Sequence, residues 1–159
     1  FLGLLVLLEY LAPGMPYTPV HVSPFYTDYL DTVPDDVALA IVPTGRDEGK
    51  HYLFDQTFHG HKITSGVVSR PSRETFAFIE DNDLLRAGAS DREPAPIPAD
   101  LSPSLQELAR YNIGYLIIDK RFDLDAETWR TALGGQPVYE DDLLLVYQID
   151  QAHAGEHSQ

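Results

Sequence analysis

Val37-Ala38-Leu39-Ala40-Ile41-Val42, closed by Pro43, and Gly114-Tyr115-Leu116-Ile117-Ile118-Asp119 are the stretches whose reading decides the fold. Each is a short, continuous apolar run bounded by turn residues. A strand with one wet face alternates polar and apolar side chains; an unbroken run fits a strand covered on both faces, as in α/β sheets. Working outward, residues 50–58 have helical spacing, with Tyr52, Leu53 and Phe54 together and Phe58 one turn on, and Gly60 is placed to end that helix. Pro71-Ser72 opens a second helix through Phe76, Phe78 and Ile79. Ser102-Pro103 caps a third, carrying Leu105, Leu108 and Tyr111. Asp125 or Asp123 caps a fourth over 126–133, stopped by Gly134-Gly135. Residues 137–140 and 143–149 pair as a hairpin around Asp141-Asp142. The expectation is an α/β fold: a small mixed, partly parallel sheet with helices packed on it in two or three layers, closed by a C-terminal β-hairpin.

Other segments organise the chain around that body. Phe1-Leu2-Gly3-Leu4-Leu5-Val6-Leu7-Leu8 is apolar without alternation. It is far shorter than the roughly 20 residues of a spanning helix. It also lacks the basic start and small-residue cleavage site of a signal peptide. It reads as the last turns of a transmembrane helix over residues 1–11, with a buried strand or helix of the domain as the alternative. Residues 12–24 hold four prolines and read as a stiff connector. Ser23-Pro24 then starts a short helix with Phe25, Tyr29, Leu30 and Val33 on its apolar side. Residues 25–149 form one α/β domain, with a long surface loop over 87–104. The polar residues 150–159 are expected to be a disordered tail. The first Lys or Arg is Arg46. Cytoplasmic flanks of a span usually carry such residues close by, so the expected side is extracytoplasmic.

The formal net charge is -14. A surface this acidic repels phosphate backbones, which argues against nucleic-acid partners. Without cysteine the chain has no disulfide, thiolate metal site or cysteine nucleophile. Lysine is scarce beside Ala, Pro and Gly, as in GC-rich bacterial genomes. Walker-type phosphate loops, dinucleotide glycine fingerprints and Gly-x-Ser-x-Gly elbows are all missing from the sequence, and no cofactor is expected.

The segment richest in hydrogen-bonding side chains is Asp55-Gln56-Thr57-Phe58-His59-Gly60-His61-Lys62, extended to Ser69-Arg70. Gln56 and His59, three apart, share a helix face. With Lys62, Ser69 and Arg70 they could hold a sugar hydroxyl or a phosphate oxygen. The plainer reading is a helix C-cap, with Gly60 in the left-handed turn and His59 or Lys62 meeting the last carbonyls. His51, Asp55 and His59 recur every four residues, but the outer two are about 12 Å apart along a helix, too far for one zinc ion. No metal site is expected. The clusters at 80–83 and 140–142 read as turns rather than paired catalytic carboxylates. Asp119 stands at the end of a buried strand, where α/β sheets often place functional groups.

Taken together, several features resemble the C-terminal soluble region of bacterial multi-pass membrane proteins of the GT-C glycosyltransferase-like kind. They are the apolar opening, the Pro-rich connector, the strand ending in Pro43, Gln56-Thr57-x-His59-Gly60-His61-Lys62-Ile63, Ser69-Arg70-Pro71, Gly114-Tyr115-Leu116-Ile117-Ile118-Asp119 and Pro137-Val138-Tyr139-Glu140-Asp141-Asp142. The resemblance covers roughly residues 1–149. It implies an accessory extracytoplasmic domain whose partner is the membrane-embedded part of the same polypeptide, and which contacts glycan or a lipid-linked sugar. The catalytic acidic residue of that class lies in an early loop between membrane helices, so none is carried over, and the natural contact surface is residues 56–70. Two other functions stand beside this one: a stand-alone soluble hydrolase using His59 and a carboxylate, and a non-catalytic protein-interaction module.

Overall fold

The computed structural model describes residues 20–46, 48–66, 73–90 and 95–150, with the side chains of 73–76 left aside. The apolar opening, most of the connector, Ser69, Arg70 and residues 151–159 lie outside the described residues.

Both apolar runs are strands. β1 spans Ala38–Val42 and β2 spans Ile113–Asp119. They pair in parallel, with Ile41 opposite Ile117 and Val42 opposite Ile118. β3 (Tyr139–Glu140) and β4 (Leu144–Gln148) form the terminal hairpin, and β4 lies antiparallel to β2. The sheet order is β1-β2-β4-β3, a mixed sheet with one parallel pair.

Strand residues alternate between two cores because successive side chains point to opposite faces. On one face Ala40, Val42, Leu116, Ile118, Leu145 and Tyr147 pack with Leu84, Leu108 and Trp129. On the other, Leu39, Ile41, Tyr115, Ile117, Leu144 and Val146 pack with Phe25, Tyr26, Leu30 and Tyr52. Both faces are covered, so of the two layer counts open in the sequence the three-layer one holds.

Five α-helices occur among the described residues. α1 is Glu48–His59, α2 Arg73–Asp81, α3 Asp83–Ala87, α4 Ser102–Arg110 and α5 Ala126–Leu133. α1 lies with the second core through Tyr52, and α3, α4 and α5 with the first. Two local details differ from expectation. The acidic stretch read as a turn contains the start of α3: Asn82 Oδ1 accepts the Leu85 amide at 3.2 Å as an N-cap. Ser102 is the first residue of α4 and not its cap; Asp100 Oδ1 accepts the Ser102 amide at 2.9 Å instead. Asp125 caps α5 by accepting the Glu127 and Thr128 amides, and Gly134 ends it at φ 63°.

The helix after Ser23 is a π-type turn over Phe25–Tyr29 followed by a 3-10 turn over Leu30–Thr32. Ser23 Oγ accepts the Phe25 amide at 3.1 Å and donates to Asp141 Oδ2 at 2.5 Å. Asp141 Oδ1 also accepts the Leu143 and Leu144 amides at 2.8 and 2.7 Å. One carboxylate thus closes the hairpin turn and fixes the end of the connector to it. These hydrogen bonds outweigh its partial burial and hold the Asp141 carboxyl below the usual range. Among the described residues no helix is long and apolar enough to cross a membrane.

Candidate functional site

β1 and β2 are parallel, so their C-terminal ends meet at one edge, the side where open α/β sheets gather functional groups. β2 ends in Asp119, which is fully buried. Arg121, two residues on, turns back onto it. Its Nε lies 3.0 Å from Asp119 Oδ1 and its Nη2 2.6 Å from Asp119 Oδ2, a two-pronged ion pair. The same Nη2 donates to Asp55 Oδ2 at 2.6 Å. Asp55 is also fully buried, on the inner face of α1. One guanidinium therefore ties the helix after β1 to the end of β2.

The charges do not balance, with two carboxylates against one cation. Burial raises the Asp55 pKa, and the hydrogen bond and charge of Arg121 only partly oppose that. Burial works against the Arg121 charge, but the hydrogen bonds it donates to both carboxylates more than offset it and its pKa rises. Two tyrosines complete the wall. Tyr52 donates at 3.0 Å to the carbonyl of Pro43, the residue that follows the end of β1 through a cis Val42-Pro43 bond. Among the described residues the buried Tyr26 hydroxyl has no hydrogen-bond partner, and Asp55 Oδ1 likewise has none. Burial, then the neighbouring Asp55 and Asp119 charges, raise the Tyr26 pKa well above normal, so it stays a neutral phenol.

The helix exit lies next to this network. Gln56 Nε2 donates to the His61 carbonyl at 2.9 Å. His59 Nδ1 accepts the His61 amide at 3.0 Å, and the His59 ring stacks on Tyr26 with centroids 5.1 Å apart. Because Nδ1 accepts, the neutral ring carries its proton on Nε2, which is buried without a partner among the described residues. Burial, then the nearby His61, lowers the His59 pKa from 6.5 to about 4. His61 is buried, and its Nδ1 lies 2.9 Å from the Val37 carbonyl. Gly60 has φ 71° and its amide reaches the Gln56 carbonyl at 2.8 Å. Gln56 and His59 are thus brought together as a cap that reverses the chain into the next segment. There the Leu39 amide donates to the Lys62 carbonyl at 2.8 Å and Ile63 forms a parallel bridge to Leu39. The Lys62 residue itself is exposed.

Of the residues singled out in the sequence, Gln56 and His59 sit at this cap, Lys62 on the surface beyond it, and Asp119 in the buried ion pair. Ser69 and Arg70 lie outside the described residues. Neither Asp55 nor Asp119 is a hydrogen-bond partner of His59. The His51, Asp55 and His59 stripe is split: His51 is exposed and packs edge-on against Phe122, while Asp55 is taken by Arg121. Sequence reading missed Arg121, Tyr26 and the role of Asp55. The available signal was an Asp-x-Arg pattern leaving a buried strand, since a buried carboxylate must find a cation or several donors.

No protein-family model, curated protein or solved structure matches the chain.

Proposed function

We propose that this chain is an accessory extracytoplasmic domain of a membrane-bound glycosyltransferase-like protein, a rigid body that presents α1 and its exit loop to glycan or lipid-linked sugar. The resemblance noted in the sequence motivates the reading. The observation that carries it is the commitment of both buried carboxylates at the sheet edge to Arg121. They hold α1 in place and are not poised as acid and base. His59 serves the same end: its Nδ1 is spent on the loop amide, and among the described residues no carboxylate stands behind it to orient a proton transfer. That also weakens the hydrolase alternative, which needs His59 joined to Asp55 or Asp119.

Calorimetric titration of the chain with polyprenyl-phosphate sugars and with oligosaccharide acceptors tests the proposal. Weak binding without turnover is expected, reduced by Lys62→Ala. Catalytic turnover by the isolated chain, surviving purification and lost in His59→Ala, would favour the hydrolase. Several long apolar spans encoded upstream of Phe1 would agree with the membrane parent, and a gene that starts at this point would remove it.

A further inference from the structure

Helix α1 has a second face. Its inner side carries Tyr52, Asp55 and His59, while Leu53, Phe54 and Phe58 are 37%, 42% and 48% exposed on the other. Residues four apart share a helix face, and the Phe54 and Phe58 rings meet edge to face at 5.3 Å. The stripe continues through exposed Lys50 and Thr57, and exposed Lys62 follows just past the helix end. On a chain of net charge -14 that holds three lysines, two of them flank this one apolar patch. Aromatic and aliphatic side chains bracketed by lysine are the composition of a helix lying in a lipid headgroup layer.

The path of the chain points the same way. Tyr26, at the domain end of the connector, stacks on His59 at the last turn of α1, so the connector reaches the domain beside this helix. Val20, where the described chain begins, is itself 57% exposed. From Leu8 to Val20 the chain can extend at most about 40 Å. A lead of that reach, joining the domain beside α1, allows this side of the body to come down onto the bilayer.

The geometry points to α1 as a membrane-docking element, with Leu53, Phe54 and Phe58 seated in the headgroup and upper acyl region of a phospholipid bilayer and Lys50 and Lys62 at its polar boundary. The inference rests on the reading of residues 1–11 as a bilayer anchor, and it fixes which face of the domain turns to the membrane. Membrane contact would set the Gln56–Lys62 loop at the level of lipid-borne phosphates.

The chain has no cysteine, so single labelling sites can be introduced one at a time. The full chain is reconstituted into phosphatidylcholine–phosphatidylglycerol vesicles with a bimane label at Thr57→Cys, Leu5→Cys or Tyr111→Cys, and quenching by brominated lipid is read. Thr57 lies between the two phenylalanines and leaves both intact; Tyr111 is an exposed control on α4's C-terminal cap. The Thr57 label should lose at least about half its fluorescence, as expected at about 5–10 Å depth, and the Tyr111 label should not. Phe54→Ser with Phe58→Ser, in the Thr57→Cys background, should abolish that loss. Quenching at Leu5 without quenching at Thr57 would overturn the docking face while sparing the anchor. Quenching at Thr57 alone would support the face and remove the anchor. Quenching unchanged by the double serine variant would overturn the proposal. So would disulfide pairing of unlabelled Thr57→Cys copies together with no quenching of the labelled ones, which would assign the face to self-association.

Discussion

Arg121 answers for two carboxylates that water does not reach. Replacing a buried ion-pair member leaves its partners charged in a poor solvent, which costs about 3–5 kcal/mol. Arg121→Met should therefore lower the unfolding free energy by that amount, read as a lower urea midpoint at unchanged slope, and adding Asp55→Asn and Asp119→Asn should recover part of the loss. A midpoint unchanged in Arg121→Met would remove the network as an organiser of the site. His59 gives a pH signature. Its folded pKa is lowered to about 4 from 6.5, so protonation favours the unfolded chain. Its stabilising contribution is complete above pH 6.5 and is lost as pH falls toward 4. For a half-buried ring we expect a loss of about 1–2 kcal/mol over that window after allowing for solvent screening. Asp55 has the opposite sign: with its folded pKa raised above 3.8, its contribution is complete below that value and is lost as pH rises through the folded one. His59→Phe keeps the stack on Tyr26 and should flatten the acid-side loss. NMR titration of the imidazole in the folded protein should show a midpoint near 4 and a proton on Nε2; a midpoint near 6.5 would contradict the burial argument.

At the scale of elements, α1 owes its position to its ends as much as to its core face. Gly60 sits at φ 71° with open space around its Cβ position. Gly60→Ala should thus cost only the backbone penalty of the left-handed region, about 1 kcal/mol, measurable as a lower melting temperature with unchanged circular dichroism. Gly88 fails for another reason. A Cβ there would lie 2.7 Å from Val42 Cγ1, so Gly88→Ala should be the more damaging of the two. Both strands of the parallel pair were legible as apolar runs because burial on both faces erases alternation. The Asp125 cap and the Gly60 and Gly134 stops were legible because those residues act on their own neighbours. Other features depend on distant partners. Arg121 meets Asp55 across 66 positions, and no local pattern announces that pairing. The fate of His59 was hidden likewise, since its stacking partner Tyr26 is set by how the first turn packs on α1. The helix at 83–87 was lost in an acidic stretch whose turn propensity and capping propensity come from the same residues.

For the whole molecule, the sheet sorts the chain into a well-packed core on each face and leaves α1 with two roles. Its inner side locks the sheet edge through Asp55, and its outer side is apolar and flanked by lysine on an otherwise acidic body. A domain of this kind is suited to sit against a surface, with its other sides kept soluble by charge. The acidity also predicts strong salt dependence. Raising ionic strength should strengthen folding by screening self-repulsion, seen as a higher melting temperature in sodium chloride; a fall would mean that attractive surface pairs dominate. The proposed extracytoplasmic placement is the claim most directly open to test. In intact cells expressing the natural gene product with Tyr111→Cys, a membrane-impermeant maleimide should label that position without lysis, because Tyr111 is 63% exposed and the domain is expected to face outward. Labelling that appears only after the cells are broken open would contradict the placement and, with it, the accessory role proposed for the domain.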